Sequence, residues 1–183
     1  MSHWSPIVRW RQIVSDYPRW IAFTILFHLL AVIFSVGYFS HDEHFRVTEL
    51  VSLKMGIASP QDMTDEYLWR GASWLQPGCL TVIARALDTI GVHDPFVWAF
   101  FFRLVSAALN VAAFFVLIVA STIWFEKSVQ VKQVMWLLCF TWFLPLIHAR
   151  PSPENWGGAF LAMGIGWLAI LNHRSPPPRQ ESY

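Results

Sequence analysis

The apolar residues of this chain fall in long uninterrupted blocks, and blocks of that length leave few folds open. Trp20–Phe39 runs twenty residues with His28 as the only group titrating near neutral pH. As a helix rising about 1.5 Å per residue, it matches a hydrocarbon core of roughly 30 Å. Pro95–Phe125 is longer and carries Arg103 near its start, while Val131–Ile147 and Trp156–Leu171 are shorter but mostly apolar. With 55% hydrophobic and 14% charged residues, eleven Trp and fifteen Phe, the 183-residue chain departs from soluble composition. The pattern predicts an all-α, multi-pass membrane helical bundle of about four transmembrane helices over residues 20–39, 95–125, 131–147 and 156–171. The first block exceeds the roughly 7–15 apolar residues of a cleaved leader and lacks a small-residue cleavage site, so it reads as an uncleaved anchor.

Charge orients the bundle. Arg9, Arg11 and Arg19 precede the first block, Lys127 and Lys132 fall by the connection between the second and third, and Arg174 and Arg179 follow the fourth. If the spans alternate, all three groups share one face, which the positive-inside tendency makes cytoplasmic. Both termini are then cytoplasmic in a bacterial inner membrane or an ER membrane. The loop over residues 40–94 and the short connection around Arg150 face the other side. Residues 1–172 form one membrane domain, and the Pro176-Pro177-Pro178 tail over 173–183 is extended and cannot pack. A net charge of +1 without a basic stripe excludes nucleic acid as a partner. Cys79, in the loop region, and Cys139, inside the third block, read as small apolar residues without metal-ligand spacing.

The outer loop carries its own helical signals. Phe45–Ile57 places Val47, Leu50, Val51 and Met55 on one helical face, and Gly56 with Ser59-Pro60 ends it. Such a short amphipathic helix suits the membrane surface. Pro77–Ile90 reads as a second short helix, opened by Pro77 and closed by Gly91.

Between the first block and the first of these helices lies Ser40-His41-Asp42-Glu43-His44-Phe45, two carboxylates flanked by two imidazoles. Hydrocarbon does not tolerate such a cluster, so it marks a polar site at the membrane face. One reading is a general base that takes the proton of an acceptor hydroxyl; the other is a solvated cap for the helix beginning at Phe45. Two imidazoles and two carboxylates within four residues cannot converge on one ion without strong loop curvature, so no metal and no cofactor is assigned. Arg150 reads either as a bidentate phosphate ligand or as an interfacial anchor. Arg70 and Arg103 are further candidates for phosphate, and Arg103 also has the reach to extend outward to headgroups. His28 reads as an interhelical polar residue, and Gly157, Gly158, Gly164 and Gly166 as a close-packing face.

Taken in order, SHDEHFRVTELVSLKMG, TDEYLWRGASWLQPG and HARPSPENWGG resemble glycosyltransferase family 22, the lipid-phosphate-sugar-dependent mannosyltransferases with the GT-C membrane fold. His41, Asp42, Glu43, Phe45 and Glu49 match its first outer-loop pattern, without the proline that family carries after the histidine. Thr64, Glu66 and Tyr67 match a Thr-x-Glu-aromatic element. Arg70, Ser73, Trp74 and Pro77 are similar to an Arg-Ser-x-x-x-Pro element with Gly71 and Ala72 inserted, and Arg150, Glu154 and Asn155 to an Arg-containing segment before the fourth span. The resemblance implies sugar transfer, mannosyl in that family, from a polyprenyl- or dolichyl-phosphate donor to an acceptor hydroxyl at the outer or lumenal face. It implies Asp42 as base with Glu43 second, and His41, Glu49, Glu66, Arg70 and Arg150 as substrate contacts. It covers roughly residues 20–172, only the N-terminal part of such enzymes. The expectation is therefore a truncated or split enzyme, a chain completed by a further membrane subunit, or a non-enzymatic membrane protein retaining the scaffold.

Overall fold

The computed structural model describes residues 6–37, 43–63, 73–125 and 127–174. Every regular element among them is helical, in agreement with the all-α expectation. The order is α1 (Pro6–Asp16), α2 (Pro18–Phe34), a π-helical turn (His44–Thr48), α3 (Glu49–Lys54), a 3-10 turn (Pro60–Asp62) and α4 (Leu75–Thr89). Then follow α5 (Pro95–Trp124), α6 (Ser128–Phe140), α7 (Leu144–His148) and α8 (Pro153–Arg174).

Proline sets several of these boundaries. α1 and α2 meet at Tyr17-Pro18 with a bend of 91°. The residue before a proline is steered out of the helical region, while proline itself fits the first helical position. The third apolar run departs from expectation for the same reason. It stops at Phe140, and Thr141 adopts an extended ψ of 104°. Pro145 then lies in the first turn of α7. Having no N–H to give a preceding turn, proline divides the run in two. At the start of α5, Asp94 Oδ1 accepts the N–H of Phe96 at 2.8 Å, a side-chain cap. Gly91, at φ +84°, closes the stretch after α4 in a conformation that favours glycine.

The two outer-loop helices form close to where their patterns place them, as the π turn with α3 and as α4. Cys79 therefore sits within a helix, not in a loop. Helix α1 carries no long apolar block and was not anticipated.

Among the described residues, α5 alone is long and apolar enough to cross a membrane as a single helix, and α1–α2 passes the same test as a bent pair. At thirty residues α5 measures about 45 Å, more than the hydrocarbon requires.

The chain divides into two compact units. One comprises residues 1–25, 111–141 and 160–183. Its core is Ile13, Ile21, Ile118, Val119, Met135 and Ile170. Trp10 meets Phe115 edge-on at 4.5 Å. A Cβ on Gly166 would lie 2.7 Å from Val116 Cγ1, whereas Gly157, Gly158 and Gly164 face open space. The close-packing role expected of four glycines thus falls to Gly166.

The other unit comprises residues 26–110 and 142–159. Here Val47 and Val51 pack on Leu80, Ala84 and Leu87 of α4, joined by Trp98, Phe102 and Trp156. The guanidinium of Arg85 donates to the Lys54 carbonyl at 3.3 Å, tying α3 to α4. A second cluster of small residues, Ala31, Val32, Ala107 and Ala149, brings α2, α5 and the residue after α7 together. All the described candidate site residues belong to this unit.

Candidate functional site

Glu43 stands immediately before the π turn and is 2% exposed. The turn is held by Thr48, whose hydroxyl donates to the carbonyls of Glu43 and His44 at 3.0 and 2.9 Å. Single π turns inside helical segments are frequent at functional sites. The extra residue per turn changes where the side chains that follow it point.

Arg150 reaches Glu43 from a distant part of the chain. It lies in the link between α7 and α8, where Pro151 biases it away from helix. Its Nη1 is 3.6 Å from Glu43 Oε2 and donates to the Gly37 carbonyl at 2.8 Å. The two side chains are 17% and 3% exposed. Arg150 also lines the cavity beside Glu43.

Arg103 completes the charged set. It projects from α5 with Nε donating to the Ala99 carbonyl at 3.1 Å. Glu43, Thr48, Arg103 and Arg150 line one cavity of about 120 Å³, walled by Val36, Phe96 and Phe102. That is below the roughly 300–1,000 Å³ of small-molecule sites, so the cavity takes one group of a ligand and not the whole. Two guanidinium groups against one carboxylate leave it net positive among the described residues. Phe96 at its edge is 80% exposed and Val36 is 82% exposed, an apolar rim on a charged floor.

The remaining expected site residues divide. His41, Asp42, Glu66 and Arg70 lie outside the described residues. Glu49 does not line the cavity; its Oε1 is 3.3 Å from His44 Nε2, and its Oε2 is buried with no hydrogen-bond partner. Glu154 meets Arg46 at 3.9 Å on the surface, a contact of little energetic weight. No group of three or more potential metal ligands occurs among the described residues.

The same unit holds a buried pair of which sequence reasoning singled out only His28, as an interhelical polar residue. His28 Nε2 and His148 Nδ1 are 3.1 Å apart, the rings stacked at 20°, with the residues 3% and 8% exposed. His148 lies beyond the third apolar run, as the last residue of α7, directly before the link that carries Arg150. Burial, and secondly the neighbouring His28, lower its pKa to about 4. Separated by 120 positions, the partners give no local sequence signal. Asn155, which the sequence pattern grouped with Arg150 and Glu154, donates through its side-chain amide to the carbonyls of His148 and Arg150 at 3.2 and 2.7 Å.

No protein-family model, no curated protein and no solved structure matches this chain.

Proposed function

We propose that this chain is a multi-pass membrane protein whose cavity binds the phosphate of a lipid-linked sugar, and that it takes part in glycosyl transfer from that donor. The observation carrying this reading is the convergence of Glu43, Arg103 and Arg150, from three separate parts of the chain, on one cavity with an apolar rim. Arginine presents two parallel donors to phosphate oxygens, and an apolar border suits the first carbons of a lipid tail. The membrane setting draws support from large apolar side chains left exposed along α2 and α8. Leu26, Ile33 and Phe34 are 52, 54 and 74% exposed, and Leu161, Trp167 and Leu168 are 65, 52 and 60% exposed. In water such extended apolar surface is unusual.

The reaction would form a bond between the acceptor oxygen and the anomeric carbon of the sugar as the bond from that carbon to the phosphate oxygen breaks. The acceptor proton passes to a carboxylate, assigned to Asp42, and the polyprenyl phosphate leaves with the bonding electron pair. The arginines stabilise the charge developing on it. Glu43, engaged by Arg150, acts here chiefly as the group that seats the guanidinium. The sugar, mannose by resemblance, and the bacterial inner or ER location with cytoplasmic termini belong to the same proposal.

The test is transfer from a radiolabelled polyprenyl-phosphate sugar in native membranes whose own gene copy carries the substitution. Asp42→Asn should lower transfer by about 10²–10⁴-fold with protein level unchanged, the usual size of a lost general base. Wild-type transfer by that variant would remove the catalytic assignment.

A second reading has one observation in its favour. The Arg150 contacts to Glu43 and Gly37 are an internal brace, as a non-enzymatic scaffold or partner subunit would need. Unchanged transfer in membranes carrying Arg150→Lys, with an assembly lost on its deletion, would select that reading.

A further inference from the structure

Arg150 occupies a four-residue link, Ala149 to Ser152, between α7 and α8. A segment without regular structure holds a long side chain at a cavity only if its backbone is fixed elsewhere. Asn155, in the first turn of α8 and 9% exposed, supplies that restraint. Its side-chain amide donates to the Arg150 carbonyl at 2.7 Å and to the His148 carbonyl at 3.2 Å, and its backbone N–H donates to Ser152 Oγ at 3.2 Å. One residue thus spans the link from end to end. On the far side, the His148 ring meets the ring of His28 on α2 at 3.1 Å. One nitrogen of that contact must donate and the other accept, which fixes both rings.

We propose that Asn155 is a positioning residue for Arg150, its amide holding the link so that the guanidinium faces the cavity, with the His28–His148 pair anchoring the link to α2. The role rests on the reading above that the cavity takes a phosphate group. Asn155 itself does not line the cavity, so it acts on a ligand only through Arg150. That indirectness is what an experiment can detect, because two residues working through one contact are not additive.

The experiment is a double-mutant cycle on the full chain in detergent micelles, with farnesyl phosphate as the probe and intrinsic tryptophan fluorescence as the signal. Near-ultraviolet circular dichroism of each variant establishes that it is folded. Arg150→Lys keeps the positive charge, loses the fork and should weaken binding roughly tenfold, the scale of one charge-assisted hydrogen bond. Asn155→Ala should weaken binding by about the same factor in the wild-type background and by less than about twofold in the Arg150→Lys background. If Asn155→Ala does not fold, Asn155→Ser, which keeps one donor, is read by the same criteria. Wild-type protein that does not bind the probe, or Arg150→Lys binding like wild type, overturns the phosphate reading and the positioning role with it. Weakened Arg150→Lys with Asn155→Ala at wild-type affinity overturns the positioning role alone. Equal weakening by Asn155→Ala in both backgrounds does the same, since the residue would then act independently of Arg150.

Discussion

The ion pair between Glu43 and Arg150 makes an asymmetric prediction about stability. At 3.6 Å and an effective dielectric constant near 20, the attraction between the charges is of order 4–5 kcal/mol before desolvation is counted. Arg150→Met removes the guanidinium and leaves a carboxylate that is 2% exposed without this counter-ion. Breaking a buried pair from one side costs about 3–5 kcal/mol; since the cavity lets some water approach, the lower end, about 3 kcal/mol, is expected. Glu43→Gln is different. Arg150 keeps its bond to the Gly37 carbonyl and still lines the cavity, where water can approach its charge. The cost should be about 1–2 kcal/mol, the range of a lost hydrogen bond to a charged group. The double variant should fall short of the sum by about 1 kcal/mol or more, because both substitutions remove the same contact. The assay is unfolding by SDS titration in mixed micelles, followed by circular dichroism at fixed protein and lipid. Equal losses for the two single variants, or strict additivity in the double, would show that the pair is a surface contact and not a buried one.

Three further outcomes are expected. His148 has a folded-state pKa of about 4 against an unfolded value of 6.5, so the fold favours its neutral form. The associated stability is intact above pH 6.5 and is lost progressively as pH falls toward 4; unfolding midpoints between pH 7.5 and 4 should follow that course, and His148→Gln should flatten it. Ser106→Ala deprives Trp156 Nε1 of an acceptor at 2.9 Å in a buried position and should destabilise by about 1–2 kcal/mol, with a change in tryptophan emission reporting the altered indole environment. Gly166→Ala would put a Cβ 2.7 Å from Val116 Cγ1, on a β-branched side chain with little freedom to turn. Overpacking of about 1–3 kcal/mol should outweigh a helix-propensity gain of about 1 kcal/mol, so the variant should unfold earlier than wild type in the same titration.

The legible part of the fold was what local composition controls. The apolar block at Pro95 became a single helix because it contains no interior proline, and α4 ends near Gly91 because only a residue free to take φ +84° closes it there. The illegible parts arise where a local breaker competes with a long apolar pattern. Hydropathy averaged over Val131–Ile147 hides Pro145, yet one missing N–H suffices to split the run. Helix α1 was hidden for the opposite reason. Its eleven residues include Arg9, Arg11 and Asp16, and only packing of Trp10 and Ile13 against the core of its unit reveals its apolar side.

The cavity was legible as residues but not as a place. Arg150 and Glu43 each stood out by chemistry, since a guanidinium and a carboxylate next to apolar blocks need a reason to be there. Their separation of 107 positions means that no periodicity relates them. What joins them is a sequence of small structural requirements: Gly37 at φ +77° offers its carbonyl to Arg150, Pro151 keeps the link out of helix, and Asn155 holds its carbonyls. Each has a local chemical signature, and none names its partner. Phosphate recognition by two arginines would require those elements at once, because a guanidinium gains over an ammonium only when its planar fork is held in one orientation. The residues that orient Arg150 are therefore as necessary to such a site as the arginine itself.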